Sequence, residues 1–177
     1  HPALASGVNP ESATGTGNLG ATATQITELS GTIQPGQYFL VQEAPGAAVA
    51  APLPTPDLID SSPIAMSGTA GKVALVTSAA SLGCNGGSTP CGVAALALIV
   101  DLVGYGNANF FEGAAAAPAL TNSTAALRQD GGEVETDNNG ADFVSGAPNP
   151  RNSGSQPPPP PPPPASGCGV APSHEIS

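Results

Sequence analysis

The densest set of chemically capable side chains lies between Asp130 and Asp142. There Asp130, Glu133, Glu135, Asp137 and Asp142 stand among Gly131, Gly132, Asn138, Asn139 and Gly140. Hard cations want clustered oxygen ligands, so the sharp reading is calcium, with Asp137, Asn139 and Asp142 as candidate ligands. The best-defined calcium loop needs glycine at its sixth position and glutamate at its twelfth. Counted from Asp130 or from Asp137, neither falls there. A solvated turn whose Asx side chains bond their own backbone accounts for the same residues without a metal. No other cofactor is expected.

Cys84 and Cys91 enclose Asn85-Gly86-Gly87-Ser88-Thr89-Pro90. Two thiols with no histidine or further cysteine nearby fill only half of a zinc site. In an oxidising compartment the pair is expected to form a disulfide closing a small loop. Loop entropy puts its contribution at roughly 2 kcal/mol. Cys168 stands alone in the tail. Triad hydrolysis needs a base, and the only histidines, His1 and His174, lie in segments without periodic pattern. Carboxylates in a Gly/Asn turn are solvated, the wrong environment for a general acid. No catalytic residue is nominated, and the chain is read as non-catalytic.

Composition narrows the partners. Lys and Arg number 3 against 13 Asp and Glu in 177 residues, for a formal net charge of -10. Lys72, Arg128 and Arg151 alone give no electrostatic footprint for nucleic acid, and anionic membrane surfaces are disfavoured for the same reason. The longest apolar run, from Val93 to Val103, is about half of a membrane span of roughly 20 residues. With 23 glycines and 21 prolines the composition borders on low complexity, yet 40% apolar residues argue that part of the chain folds. Lysine scarcity with abundant Thr, Ser, Asn, Gly and Ala suits a secreted bacterial protein. The opening His1-Pro2-Ala3, without Met or an apolar leader, leads to the expectation of a processed or cut fragment.

The elements follow from periodicity. Residues 1–24 have no period and read as an irregular arm. Ile26 to Ser30 alternates, and Gln34-Pro35-Gly36-Gln37 has the composition of a type II turn, with Pro and Gly at its two centres. Tyr38 to Glu43 then reads as a strand joined to the first run through that tight connection. Ala44–Pro63 carries prolines at a density that excludes helix and central strand. Ile64 to Ser67 reads as a short edge strand. Lys72 to Thr77 alternates, with Val73 and Leu75 assigned to the core face. Leu98 to Tyr105, rich in β-branched residues, reads as a strand; its Ala-rich approach from Val93, which has the composition of a helix, is left unassigned. The core is expected to nucleate in Val100–Gly113, which holds three of the six aromatic residues. Asp101 is either solvated or paired with Lys72 or Arg128. Thr121 to Arg128 reads as a strand, with Arg128 packing its stem on the sheet and turning its head to carboxylates. Phe143-Val144 closes the globular part. Pro157 to Pro164, eight prolines in a row, dictates a polyproline II spacer of about 25 Å at roughly 3.1 Å per residue.

These segments carry a family resemblance. Leu29-Ser30-Gly31-Thr32-Ile33-Gln34-Pro35-Gly36-Gln37-Tyr38-Phe39-Leu40-Val41-Gln42-Glu43 is followed by Leu53-Pro54-Thr55-Pro56-Asp57. Met66 to Val76, Val100 to Gly106, Phe111-Glu112-Gly113, Asp137-Asn138-Asn139 with Asp142-Phe143, and Gly146 to Ser153 come after them in order. In that order and spacing the region resembles the bacterial lamin-tail domain. The resemblance implies an all-β, immunoglobulin-like β-sandwich over 25–153. The pattern's opening strands have no counterpart before Gly15, and the chain has no Trp. The expected domain is therefore incomplete, its first strands missing, with an apolar sheet edge exposed and marginal stability alone. Domains of this kind resemble accessory modules of secreted proteins, including extracellular nucleases. Gly167 to Ile176 is similar to the junction leading into those nucleases, so 154–177 reads as a linker and the start of a further module beyond Ser177.

The expected function is a non-catalytic extracellular interaction domain held by a stiff proline linker to that module, its partner in the same polypeptide. The alternative is a calcium-dependent cell-surface or adhesive module using the acidic loop.

Overall fold

The computed structural model describes residues 8–46 and 53–155. The proline run, Cys168 and both histidines lie outside them.

Strands dominate and helices are few. The central sheet has three antiparallel strands in the order β1-β4-β5: β1 is Asn9–Thr14, β4 is Gly71–Val76 and β5 is Ile99–Tyr105. Asn9 to Thr14 is thus an edge strand where an irregular arm was expected. Its signal was hidden because Pro10 lacks an N–H and its large apolar residues are missing, both tolerable at an edge. Two shorter ladders complete the strands. Val41–Gln42 (β2) runs parallel to Leu58–Ile59 (β3), and Ala125–Arg128 (β6) pairs antiparallel with Phe143–Gly146 (β7).

The type II turn forms as expected, with Gly36 at φ +79° and the Gln37 N–H donating to the Gln34 carbonyl at 3.0 Å. Of the two runs expected to flank it as strands, Ile26 to Ser30 forms none and Tyr38 to Glu43 only Val41–Gln42, and the two do not pair with each other. Ile26 instead bridges Glu11 of β1, and β2 finds its partner inside the proline-rich loop, one residue past Pro56 and Asp57. Ile64 to Ser67 is not a strand; Ile64 is buried in a loop and accepts the Ala44 N–H. The Ala-rich approach to β5 closes one helical turn, Val93–Leu96 (α1).

The two faces of the sheet have separate cores. Ala13, Ala74, Val76 and Leu102 share one face with Leu19, which the connection after β1 folds over them. Val73 and Leu75, assigned to the core from alternation, are half-buried on the other face, so the dominant face is the one shared by Lys72, Ala74 and Val76. Both faces of β4 are covered, and simple alternation cannot rank them. The second face packs Tyr105 against Ala117 and Phe143, bringing the β6–β7 ladder over the sheet. Gly104 lies so close to the Phe110 carbonyl that a Cβ would clash, and Gly106 sits at φ +65° against Thr69. These close approaches explain the glycines that interrupt the apolar run.

Among the described residues no helix is long and apolar enough to cross a membrane. Cys84 and Cys91 are bonded, closing a loop with a sequence separation of 7.

Candidate functional site

The acidic loop is built around two buried side chains that point different ways. Asp137 leaves β-space at φ +52°, and Asn139–Asp142 (α2) is one short helical turn that feeds β7. Asp142 is fully buried and accepts from the Thr136 hydroxyl at 2.6 Å, the Thr136 N–H at 3.0 Å and the Asn138 N–H at 3.2 Å. The Thr136 hydroxyl above all, with the backbone N–H groups and nearby Arg128, holds its carboxyl below the usual aspartate range. Arg128 lies over the Phe143 ring at 4.5 Å and reaches Asp101 at 3.0 Å and Glu135. Asp101 is therefore paired with Arg128, one of the two candidates; Lys72 lies on the opposite face.

Asn139 is turned the other way, into the outer edge of β5. Its Oδ1 accepts the Gly104 N–H at 2.8 Å, and its Nδ2 donates to the Leu102 carbonyl at 2.9 Å and to Glu112 Oε2 at 3.0 Å. The carboxamide thus does what a peptide group of a neighbouring strand would do. Glu112 Oε1 takes the Leu102 N–H, and Ala117 pairs with the Gly104 carbonyl and the Gly106 N–H. From Leu102 to Gly106 the edge is closed. Burial first, then repulsion from Asp101, pushes the Glu112 carboxyl up.

The three candidate calcium ligands are therefore adjacent in sequence but not turned to one point. Asp137 is exposed, Asn139 serves β5 and Asp142 serves its own loop. Among the described residues no group of three or more His, Cys, Asp or Glu is gathered as a metal site. Asn138 Oδ1 is left buried without a partner.

Two further buried ionisable residues escaped sequence reasoning. Glu11, with no exposed surface, accepts the Leu82 N–H with both oxygens at 3.1 Å, and burial raises its pKa. Lys72, 1% exposed, donates to the Gly17 carbonyl at 2.6 Å and to Asn109 Oδ1 at 2.7 Å, and burial lowers its pKa. Glu11 falls in the segment read as an irregular arm, and Lys72 was considered only as a partner for Asp101. Their alternation with Ala13, Ala74 and Val76 was the available signal.

The last site is a clasp on the C-terminal exit. Asp57 Oδ2 accepts the Leu40 N–H at 2.7 Å and the Ser153 N–H at 2.9 Å, while Oδ1 takes the Ser153 hydroxyl. These bonds, the Leu40 N–H foremost and the Ser153 hydroxyl next, hold the Asp57 carboxyl below its usual range. Asn152 Nδ2 donates to the Thr55 carbonyl at 3.0 Å. Arg151 stacks on Tyr38 at 4.0 Å and donates to its hydroxyl at 2.6 Å; that hydroxyl donates in turn to the Gly131 carbonyl. Sequence motifs at Leu53–Asp57 and Gly146–Ser153 thereby meet in space.

Compared with protein-family models, curated proteins and solved structures, the chain matches none.

Proposed function

We propose that this is a non-catalytic extracellular interaction module of the lamin-tail kind, an immunoglobulin-like sandwich joined through Pro157–Pro164 to a further module beyond Ser177, a secreted nuclease. The observation that carries the reading is the use made of the acids. Glu11, Glu43, Asp57, Glu112 and Asp142 each accept a backbone N–H of the domain itself. Carboxylates bonded in this way to the domain's own backbone serve to close its loops and edges, which is a structural use of acids. Two features add support. The Asp57 clasp fixes the point from which the chain leaves the domain, as a tether to a second module requires. Val93, 85% exposed, and Leu96, 45% exposed, share one face of α1, two residues past Cys91 of the disulfide, and leave apolar side chains open to a partner. The disulfide itself favours an oxidising compartment.

The reading frame past Ser177 tests the attachment. An in-frame nuclease fold supports it, and a stop codon or an unrelated neighbour removes it. For the chain itself, incubation with single- and double-stranded DNA and magnesium is expected to leave the DNA intact on a gel. Cleavage that co-purifies with the chain and disappears in Glu11→Gln or Asp142→Asn would overturn the non-catalytic reading.

A further inference from the structure

We propose that the groove beside the clasp is a polyproline seat, occupied by this chain's own Pro157–Pro164. The groove has a volume of about 360 Å³, and Tyr38, Phe39, Leu53, Pro148, Pro150 and Arg151 are among the residues that line it. Leu53 is 47% exposed, an apolar side chain with open surface. Aromatic-lined grooves recognise proline-rich segments because a polyproline II helix offers apolar rings without an ordering cost. The wall is fixed in place, since Tyr38 is gripped by both Arg151 and the Gly131 carbonyl.

The polar chemistry matches as well. A proline run has carbonyls but no N–H, so a seat for it must supply donors. Asn149, whose side chain carries an amide N–H2, is among the lining residues, and Arg151 has guanidinium N–H groups beyond the one given to Tyr38.

Position selects the occupant. Asn152–Ser155 forms a turn, with the Ser155 N–H donating to the Asn152 carbonyl at 2.9 Å and Asn152 Oδ1 accepting the Gly154 N–H at 3.1 Å. A turn of that type reverses the chain immediately after Arg151, one of the groove's own walls. Pro157 comes two residues later. Eight prolines at about 3.1 Å each reach about 25 Å. A tether this short gives an effective concentration in the millimolar range, so even a weak seat fills from its own chain before a second chain at micromolar concentration reaches it.

This seat does not depend on a module beyond Ser177, and its failure would leave the interaction reading standing. It does change the role of the prolines, from a free spacer to a strap laid along the domain.

The test compares the full chain with a version in which Pro157–Pro164 are replaced by serines, both isotope-labelled for NMR. Nuclear Overhauser contacts between proline rings and the rings of Tyr38 and Phe39, beyond those from Pro148 and Pro150, are expected in the parent and lost in the replacement. Chemical-shift changes between the two should centre on Phe39, Leu53 and Arg151. Leu53→Lys, at an exposed position that leaves both cores intact, should abolish the same contacts. Identical groove spectra with and without the prolines would overturn the proposal. So would contacts that fade on dilution, because the run would then come from a second chain.

Discussion

Replacing Asn139 tests the most consequential side chain in the fold. In Asn139→Ala the Gly104 N–H and the Leu102 carbonyl, both buried, lose their partners at 2.8 and 2.9 Å. A buried backbone group left unsatisfied costs about 1–3 kcal/mol, so the pair predicts about 2–6 kcal/mol, less if water enters the vacated space. Against a domain stability of about 5–15 kcal/mol that is a large fraction. Urea unfolding followed by far-UV circular dichroism at neutral pH reads it as a lower midpoint at unchanged slope. Asn139→Asp separates the donor from the acceptor. It keeps an oxygen for Gly104 but loses the donor to Leu102 and sets a carboxylate beside Glu112. Burial and Glu112 raise the new carboxyl's folded pKa above its unfolded value of about 4, so relative to the parent the variant gains stability as pH falls and loses it as pH rises through that window. An alanine deficit below about 1 kcal/mol, or an aspartate deficit that ignores pH, would refute the splint.

Three other outcomes are expected. Reduction of the disulfide, or Cys84→Ser with Cys91→Ser, should lower stability by about 2 kcal/mol, the value for so short a loop, in thermal melts with and without reductant. Glu11 favours its neutral form when folded, so its contribution is present at low pH and lost as pH climbs above 4.5 through its raised pKa; Glu11→Gln should flatten that limb in urea midpoints measured across pH. Adding calcium should leave the melting temperature unchanged, because Asn139 and Asp142 are already bonded to their own chain; a rise abolished by Asp137→Ala would instead make Asp137 and the unpartnered Asn138 Oδ1 a ligand pair.

The strands with β-branched alternation, β4 and β5, were legible, as were the Gln34–Gln37 turn, the disulfide and the Arg128 head among carboxylates. What escaped were features in which a polar side chain does the work of a strand or a core residue. Asn9–Thr14 looks like loop because its inward positions are Asn9, Glu11 and Ala13, and no apolar periodicity marks them. Asn139 looked like a ligand or a turn former, since nothing local to Asn138-Asn139-Gly140 says that its partner is β5, some 35 residues away. Alternation puts Val73 and Leu75 on one face of β4, yet the more buried face is the one that carries Lys72. Proline density was a sound veto on a long strand between Ala44 and Pro63 but not on the two-residue β3.

The carboxamide of Asn139 and the carboxylate of Glu112 sit in the slot where another polypeptide would otherwise align. With that slot filled, β-augmentation by a foreign peptide along Leu102 to Gly106 is blocked, and sheet-to-sheet polymerisation through it is blocked with it. The rim of the sheet is thereby withheld as a template for growth, while the side-chain surfaces around it stay open.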